Sequence, residues 1–128
     1  MSLTVSYASG VSDKPLLGVP ISQLFDQIVD QFAKREAVVS IHQNTRLNYS
    51  QLAERVNELA KAFIAAGFKK GDRVGVWSPN NIEWLVTQYA TAKVGAVLVT
   101  INPAYRTHEL AYVLEQSGCK GLVLQNRA

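Results

Sequence analysis

Three short apolar runs decide the fold of this chain: RVGVW at residues 73–77, AVLVTI at 96–101 and GLVL at 121–124. Each gap between them carries apolar residues at helical spacing and then a glycine, Gly95 in the first gap and Gly118 in the second. Strand-length runs that alternate with amphipathic helices are typical of right-handed crossovers in a parallel sheet. The run 96–101 shows little alternation, which is expected of a strand covered on both faces. These residues predict an α/β fold with a mainly parallel sheet flanked by helices.

The residues before this series predict two more helices and a hairpin. Ser22 can begin a helix whose apolar positions share one face, at Leu24, Phe25, Ile28, Val29 and Phe32. The β-branched run 37–42, a polar turn at 43–45 and a return through 46–48 predict a small β-hairpin near residues 37–49. Residues 1–19 show no period and predict an extended lead-in, in which residues 1–3 could be an expression scar.

Capping residues punctuate the remaining helices. Asn48 and Gln51 have the spacing of a capping box, in which each side chain satisfies a free backbone amide of the other residue. Gly67 supplies the left-handed residue that commonly closes a helix. The same pattern assigns the starts of the next two helices to Asn80 and Thr107.

Composition excludes several classes of protein. A chain that is 48% hydrophobic and 18% charged is ordinary globular protein, so disordered and low-complexity classes are excluded. The net charge of +3 is spread along the chain, so we predict no nucleic-acid partner. No stretch approaches the roughly 18 consecutive apolar residues of a membrane span. The single Cys119 cannot form an internal disulfide, which, with no secretory signal pattern, favours a cytoplasmic location.

No catalytic constellation stands out in the sequence. The glycines at 67, 71 and 75 do not form a dinucleotide-binding loop, and there is no phosphate-loop motif. His42 and His108 are far apart, and Cys119 has no Cys or His partner at metal-ligand spacing. We therefore predict no catalytic residue and no metal site within these 128 residues.

Four segments in order resemble one enzyme family. LNYSQL at residues 47–52 resembles the first core motif of AMP-forming acyl-CoA synthetases and adenylation domains, Leu-Ser/Thr-Tyr-x-Glu-Leu, and AKVGAVLVTINP at 92–103 resembles the second. Between them, GDRV at 71–74 and NNIEW at 80–84 follow the style of the family. The sequence NPAYR at 102–106 looks most like the medium- and long-chain fatty acyl members. The resemblance extends over roughly residues 20–124.

The resemblance implies that residues 20–128 are the truncated N-terminal part of a large AMP-binding domain. A complete ligase of this family would use ATP, Mg²⁺, CoA and a fatty acid, and would form first an acyl-adenylate and then a thioester. In the family the groups that perform this chemistry come later in the chain. The resemblance therefore implies a fragment that is inactive alone, binds no cofactor and has the remainder of the same enzyme as its partner. The parent enzyme would be cytoplasmic or peripheral to a membrane.

The resemblance also implies one site. In the family the segment after the second core motif lies near the CoA entrance, so Asn102, Pro103, Tyr105 and Arg106 would border that channel. Ligands of open parallel sheets lie beyond the carboxyl ends of the strands, where this segment and the loop 77–80 both emerge. Arg106 stands beside a predicted helix start, where its charge and the free amides could together attract a phosphate.

Simpler interpretations stay open at this point. Asn102-Pro103 could be an ordinary turn and Arg106 a surface charge. The chain as a whole could instead be a self-sufficient small α/β module that binds a nucleotide or a protein, or a platform for oligomerisation.

Overall fold

The computed structural model describes residue 10 and residues 12–126, and in this part of the chain helices and strands follow the predicted order. The elements are α1 (Ile21–Phe32), β1 (Glu36–Ser40), β2 (Thr45–Asn48), α2 (Tyr49–Ala65), β3 (Arg73–Trp77), α3 (Ile82–Val94), β4 (Val97–Ile101), α4 (Thr107–Ser117) and β5 (Gly121–Leu124). Residue 10 and residues 12–19 form no helix or strand. The suggested scar at residues 1–3 lies outside the described residues.

The strands form a parallel sheet and a separate hairpin, as predicted. β3 lies between β4 and β5 and is parallel to both, with Gly75 opposite Val99 on one side and Leu122 on the other. β1 and β2 pair antiparallel. The connections from β3 to β4 and from β4 to β5 cross the sheet in opposite directions. Because such crossovers are right-handed, α3 and α4 lie on opposite faces of the sheet.

The hydrophobic core lies on the face covered by α1, α2 and α3. Val74 and Val76 of β3 and Val56 of α2 are at most 1% exposed, and Phe25 of α1 stacks on Tyr89 of α3 with ring centroids 4.4 Å apart. α4, on the opposite face, has no buried side chain. The α-helical layer is therefore thick on one face of the sheet and thin on the other.

The run 96–101 is covered less fully than the sequence predicts, although α3 and α4 contact it on opposite faces. β4 lies at an edge of the three-stranded sheet, with Val97 48% exposed and Thr100 also exposed. Only Ile101 of this strand is buried. An apolar run indicates that its side chains favour burial. It does not indicate the position of the strand in the sheet, because that depends on which other strands it pairs with.

One predicted helix start is confirmed and three are displaced. Asn48 Oδ1 accepts from the backbone N–H of Gln51 at 2.8 Å, and Gln51 Oε1 accepts from the N–H of Asn48 at 3.0 Å. The N-cap of α3 is Asn81 rather than Asn80, because the backbone of Asn81 is extended and its Oδ1 accepts from the N–H of Trp84 at 2.8 Å.

The other two helices begin earlier in the chain than predicted, α1 by two residues and α4 by one. α1 has Pro20 as its N-cap, so that Ser22 lies inside the first turn. α4 has Arg106 as its N-cap, and Thr107 is its first residue. In the described residues no helix is long and apolar enough to cross a membrane.

Candidate functional site at the carboxyl edge of the sheet

A crevice opens between the loops that follow β3 and β4. These loops lead to helices on opposite faces, and a cleft forms where neighbouring parallel strands diverge in this way. The crevice has a volume of about 480 Å³ and is lined by Trp77, Ser78, Pro79, Pro103, Ala104, Tyr105 and Gln125. A second cavity of about 640 Å³ continues from it along the edge of β4, sharing Ser78, Pro79, Pro103 and Tyr105 and adding Asn102. We refer to the two together as the carboxyl-edge crevice.

Asn102 organises the loop that forms one wall of the carboxyl-edge crevice. Its side-chain Oδ1 accepts from the N–H of Ala104 at 2.9 Å, and its carbonyl accepts from the N–H of Tyr105 at 3.0 Å. The same carbonyl accepts from the indole Nε1–H of Trp77 at 3.1 Å, which ties this loop to the end of β3. The residue pair Asn102-Pro103 is thus a turn, and the turn also lines the crevice.

Arg106 lies at the margin of this site. It is exposed, it lines neither cavity of the crevice, and its backbone N–H donates to the carboxylate of Glu109 at 3.0 Å. A guanidinium has no acceptor atom, so Arg106 gives nothing back to the first turn of α4. The backbone N–H of Arg106 thus already has a carboxylate partner, and the guanidinium is the group of this residue that can attract a phosphate.

The structure joins Ser78, which lies in the loop 77–80 at the predicted ligand edge, to two polar residues that the sequence did not indicate, Asn81 and Gln125. Asn81 Nδ2 donates to Ser78 Oγ at 2.9 Å and to Gln125 Oε1 at 3.3 Å. Ser78 is 8% exposed, and Gln125 follows β5 directly. The position of Gln125, one residue beyond the third parallel strand, is a signal that could have identified it, since ligands lie beyond such strand ends.

The lining of the carboxyl-edge crevice determines what it can do. Besides the aliphatic Ala104, Ile101 and Val113, it contains aromatic rings, prolines, hydroxyls and amides, which can stack on a ligand and hydrogen-bond to it. In residue 10 and residues 12–126, no group of three His, Cys, Asp or Glu side chains could hold a metal ion. These side chains suit binding and orientation of a ligand.

The charged cluster of the described chain lies at the other end of the sheet. Asp72 precedes β3 and its Oδ2 accepts from Lys120 Nζ and from the N–H of Lys69, both at 2.7 Å. The hydrogen bond from Lys120 and the one from the Lys69 amide hold the pKa of Asp72 below its ordinary value. Lys120 Nζ also donates to the carbonyl of Gly67 at 2.7 Å, so this cluster joins α2, β3 and β5 and is structural.

Known proteins resemble this chain over most of its length. A family model described as AMP-binding enzyme matches residues 25–128. The mitochondrial medium-chain acyl-CoA ligase ACSF2 of Mus musculus is 44% identical over 119 residues, which cover 93% of this chain and 19% of that protein. The putative acyl-CoA synthetase YngI of Bacillus subtilis is 41% identical over 111 residues, or 87% of this chain and 20% of that protein.

A solved structure gives the corresponding fold. The N-terminal domain of FACL13 from Mycobacterium tuberculosis superposes with a TM-score of 0.80 at 31% identity, over 83% of this chain and 27% of that chain. The chain spans about a fifth of the length of the curated relatives it matches. The family match includes β1 to β5 and both loops of the carboxyl-edge crevice. The chain therefore belongs to the AMP-binding enzyme family, and two relatives that it resembles over most of its length are named as a medium-chain acyl-CoA ligase and a putative acyl-CoA synthetase.

Proposed function

We propose that this chain is the N-terminal part of an ATP-dependent fatty acid–CoA ligase, with residues 20–128 forming the start of its large AMP-binding domain. The observation that carries the proposal is the 44% identity to a medium-chain acyl-CoA ligase over 93% of this chain. The carboxylate of the fatty acid attacks the α-phosphate of ATP, and pyrophosphate leaves. The thiol of CoA then attacks the acyl carbonyl, loses its proton and displaces AMP.

In this proposal the described residues bind and orient ligands rather than perform chemistry. The carboxyl-edge crevice borders the route of CoA, with Asn102, Pro103 and Tyr105 on one wall and Arg106 at its margin. The amide of Asn102 suits the amide groups of the pantetheine arm, the ring of Tyr105 suits its apolar parts, and the guanidinium of Arg106 suits a phosphate. ATP and Mg²⁺ belong to the remainder of the enzyme, which is the partner of this segment.

ATP–pyrophosphate exchange tests the proposed reaction. The assay compares the 128-residue chain with the product of the full gene, using fatty acids of several chain lengths. We expect exchange only in the longer protein. Exchange by the 128-residue chain itself would contradict the proposal that this segment is inactive alone. Absence of exchange in both proteins with every fatty acid would contradict the proposal that the full protein is a ligase.

Replacing Arg106 tests the proposed CoA border. We expect Arg106→Ala in the full-length enzyme to raise the apparent KM for CoA about tenfold, the loss of one hydrogen bond to a charged group. Pyrophosphate exchange should be unchanged, because adenylation precedes CoA binding. Arg55→Ala, which removes an exposed arginine from α2, is the matched control and should change neither quantity. An unchanged CoA dependence in Arg106→Ala would remove Arg106 from the site.

The predicted compartment is the cytoplasm, with the parent enzyme free to bind a membrane surface. One relative is named as a mitochondrial enzyme, so fractionation of cells that express the full gene is the direct test. Recovery of the protein in mitochondria would overturn the prediction.

A further inference from the structure

We infer that Gln43, in the turn of the hairpin, is a positioning residue for the carboxyl-edge crevice. Gln43 is separated by 39 residues from the start of α3, yet its Oε1 accepts from the backbone N–H of Ile82 at 2.9 Å. Its Nε2 donates to the carboxylate of Glu83 at 2.7 Å. One glutamine side chain thus holds the first two residues of α3, next to the loop that lines the crevice.

The start of α3 needs this contact. The first N–H groups of a helix have no acceptor within the helix, and Asn81 serves only that of Trp84. Ile82 is 1% exposed, so its amide is shielded from bulk water while Gln43 is in place. Gln43 supplies the acceptor, and without it a buried donor would be left unsatisfied, which proteins avoid by moving the backbone or admitting water.

The side chain of Gln43 is itself held in place. Buried Ser40 donates its Oγ–H to Gln43 Oε1 at 2.8 Å, and Thr45 donates its Oγ1–H to the Gln43 carbonyl at 2.9 Å. The next residue, Asn44, has a φ of 47°, which fixes the tight turn between β1 and β2. The hairpin therefore presents Gln43 to α3 as a rigid support.

The support reaches the crevice through Asn81. Asn81 directly precedes Ile82 and donates to both Ser78 and Gln125, two residues that line the crevice. Gln43 also lines a smaller cavity of about 290 Å³ that adjoins the crevice and shares these two residues with it. A shift of Ile82 must therefore move Asn81 and, with it, one wall of the crevice.

This inference rests on the proposed function for the identity of the ligand, which is CoA. If Gln43 sets the wall of the crevice, its loss changes how CoA binds and leaves adenylation and turnover at saturating CoA unchanged. A residue that acted only on overall stability would lower the amount of active enzyme, and hence the apparent kcat, with no change in the KM for CoA.

The test uses Gln43→Met, which keeps the length of the side chain and removes its hydrogen bonds. The matched control is Gln51→Met, which removes a similar glutamine contact to a backbone amide at α2, away from the crevice. In the product of the full gene, amide hydrogen exchange at Ile82 should become about tenfold faster or more in Gln43→Met, as expected for loss of one buried hydrogen bond, and should stay unchanged in Gln51→Met. Unchanged protection of Ile82 in Gln43→Met would overturn the inference.

Kinetics in the same protein give the second measurement. Gln43→Met should raise the KM for CoA several-fold with kcat within about twofold of wild type, on the scale of one lost positioning contact. The control Gln51→Met should keep both kcat and the KM for CoA close to the wild-type values. An unchanged KM for CoA in an active Gln43→Met enzyme would overturn the role of Gln43 at the crevice. Absence of ligase activity in the wild type would instead overturn the proposed function. In that case amide hydrogen exchange at Ile82 still tests whether Gln43 supports α3.

Discussion

Gly121 occupies a position where a single methyl group should disturb the core. It is the first residue of β5 and lies opposite Val74 of the central strand. A Cβ atom at Gly121 would lie 2.5 Å from Cζ and 3.2 Å from Cε1 of Phe68. Carbon atoms in ordinary contact are about 3.5–4.0 Å apart, so in Gly121→Ala the ring must retreat by about 1 Å or more.

The ring of Phe68 is half-buried, and two contacts oppose its retreat. It packs edge-on against Phe63, which is buried, with ring centroids 5.4 Å apart. The ammonium of Lys120 lies 5.3 Å from the Phe68 ring centroid on another side. Overpacking of this kind costs about 1–3 kcal/mol. The smaller conformational entropy of alanine in the unfolded chain offsets about 0.4–1 kcal/mol of that. The expected net loss in the free energy of unfolding is about 1–2 kcal/mol.

Urea denaturation followed by tryptophan fluorescence measures this loss. Gly18→Ala is the matched control, because nothing lies within 4 Å of a Cβ there, and it should leave stability nearly unchanged. Phe68→Leu combined with Gly121→Ala should recover part of the loss, giving a favourable coupling of about 1 kcal/mol between the two positions. If the free energy of unfolding of Gly121→Ala lies within about 0.3 kcal/mol of the wild-type value, close packing of Phe68 on β5 is refuted.

Two further predictions concern a helix cap and a carboxylate. Asn48→Ala removes the acceptor for the Gln51 amide and should lower the free energy of unfolding by about 1 kcal/mol in urea denaturation; an unchanged midpoint would contradict the capping box. Hydrogen bonds from Lys120 and the Lys69 amide hold the pKa of Asp72 below its ordinary value. The ionised carboxylate therefore stabilises the fold above about pH 4, and this contribution is lost as the pH falls through the lowered pKa. Asp72→Asn should therefore unfold at a lower urea concentration than wild type at pH 6 and should lose less stability between pH 5 and about pH 2; parallel pH profiles for the two proteins would contradict the contact with Lys120.

Local features of this protein followed from the sequence because near neighbours produce them. The capping box at Asn48 needs only a residue three positions away, and the ends of α3 and α4 need only a glycine able to adopt positive φ, as Gly95 and Gly118 do. The alternation of strands and helices from Arg73 to Leu124 was sufficient to predict the parallel sheet. The same local rules erred by one residue at α3, where either of two consecutive asparagines could cap the helix and Asn81 is the one that accepts from the N–H of Trp84.

Candidate site residues could be predicted only where a neighbouring sequence feature, such as the end of a strand, marked them. Pro103 and Tyr105 lie in the loop after a parallel strand, and the structure places them on the carboxyl-edge crevice. Gln43 carried no such signal, since nothing in a hairpin turn indicates an amide 39 residues later.

The sequence by itself determined the class of fold, the order of its elements and its resemblance to acyl-CoA ligases, because periodicity, caps and motifs are properties of neighbouring residues. Only the tertiary structure decided that β4 lies at an edge, that Gln125 joins the crevice and that the hairpin supports α3 through Gln43. These depend on which distant segments meet when the chain closes on itself, and that choice is made by the packing of the whole core rather than by any single stretch of it.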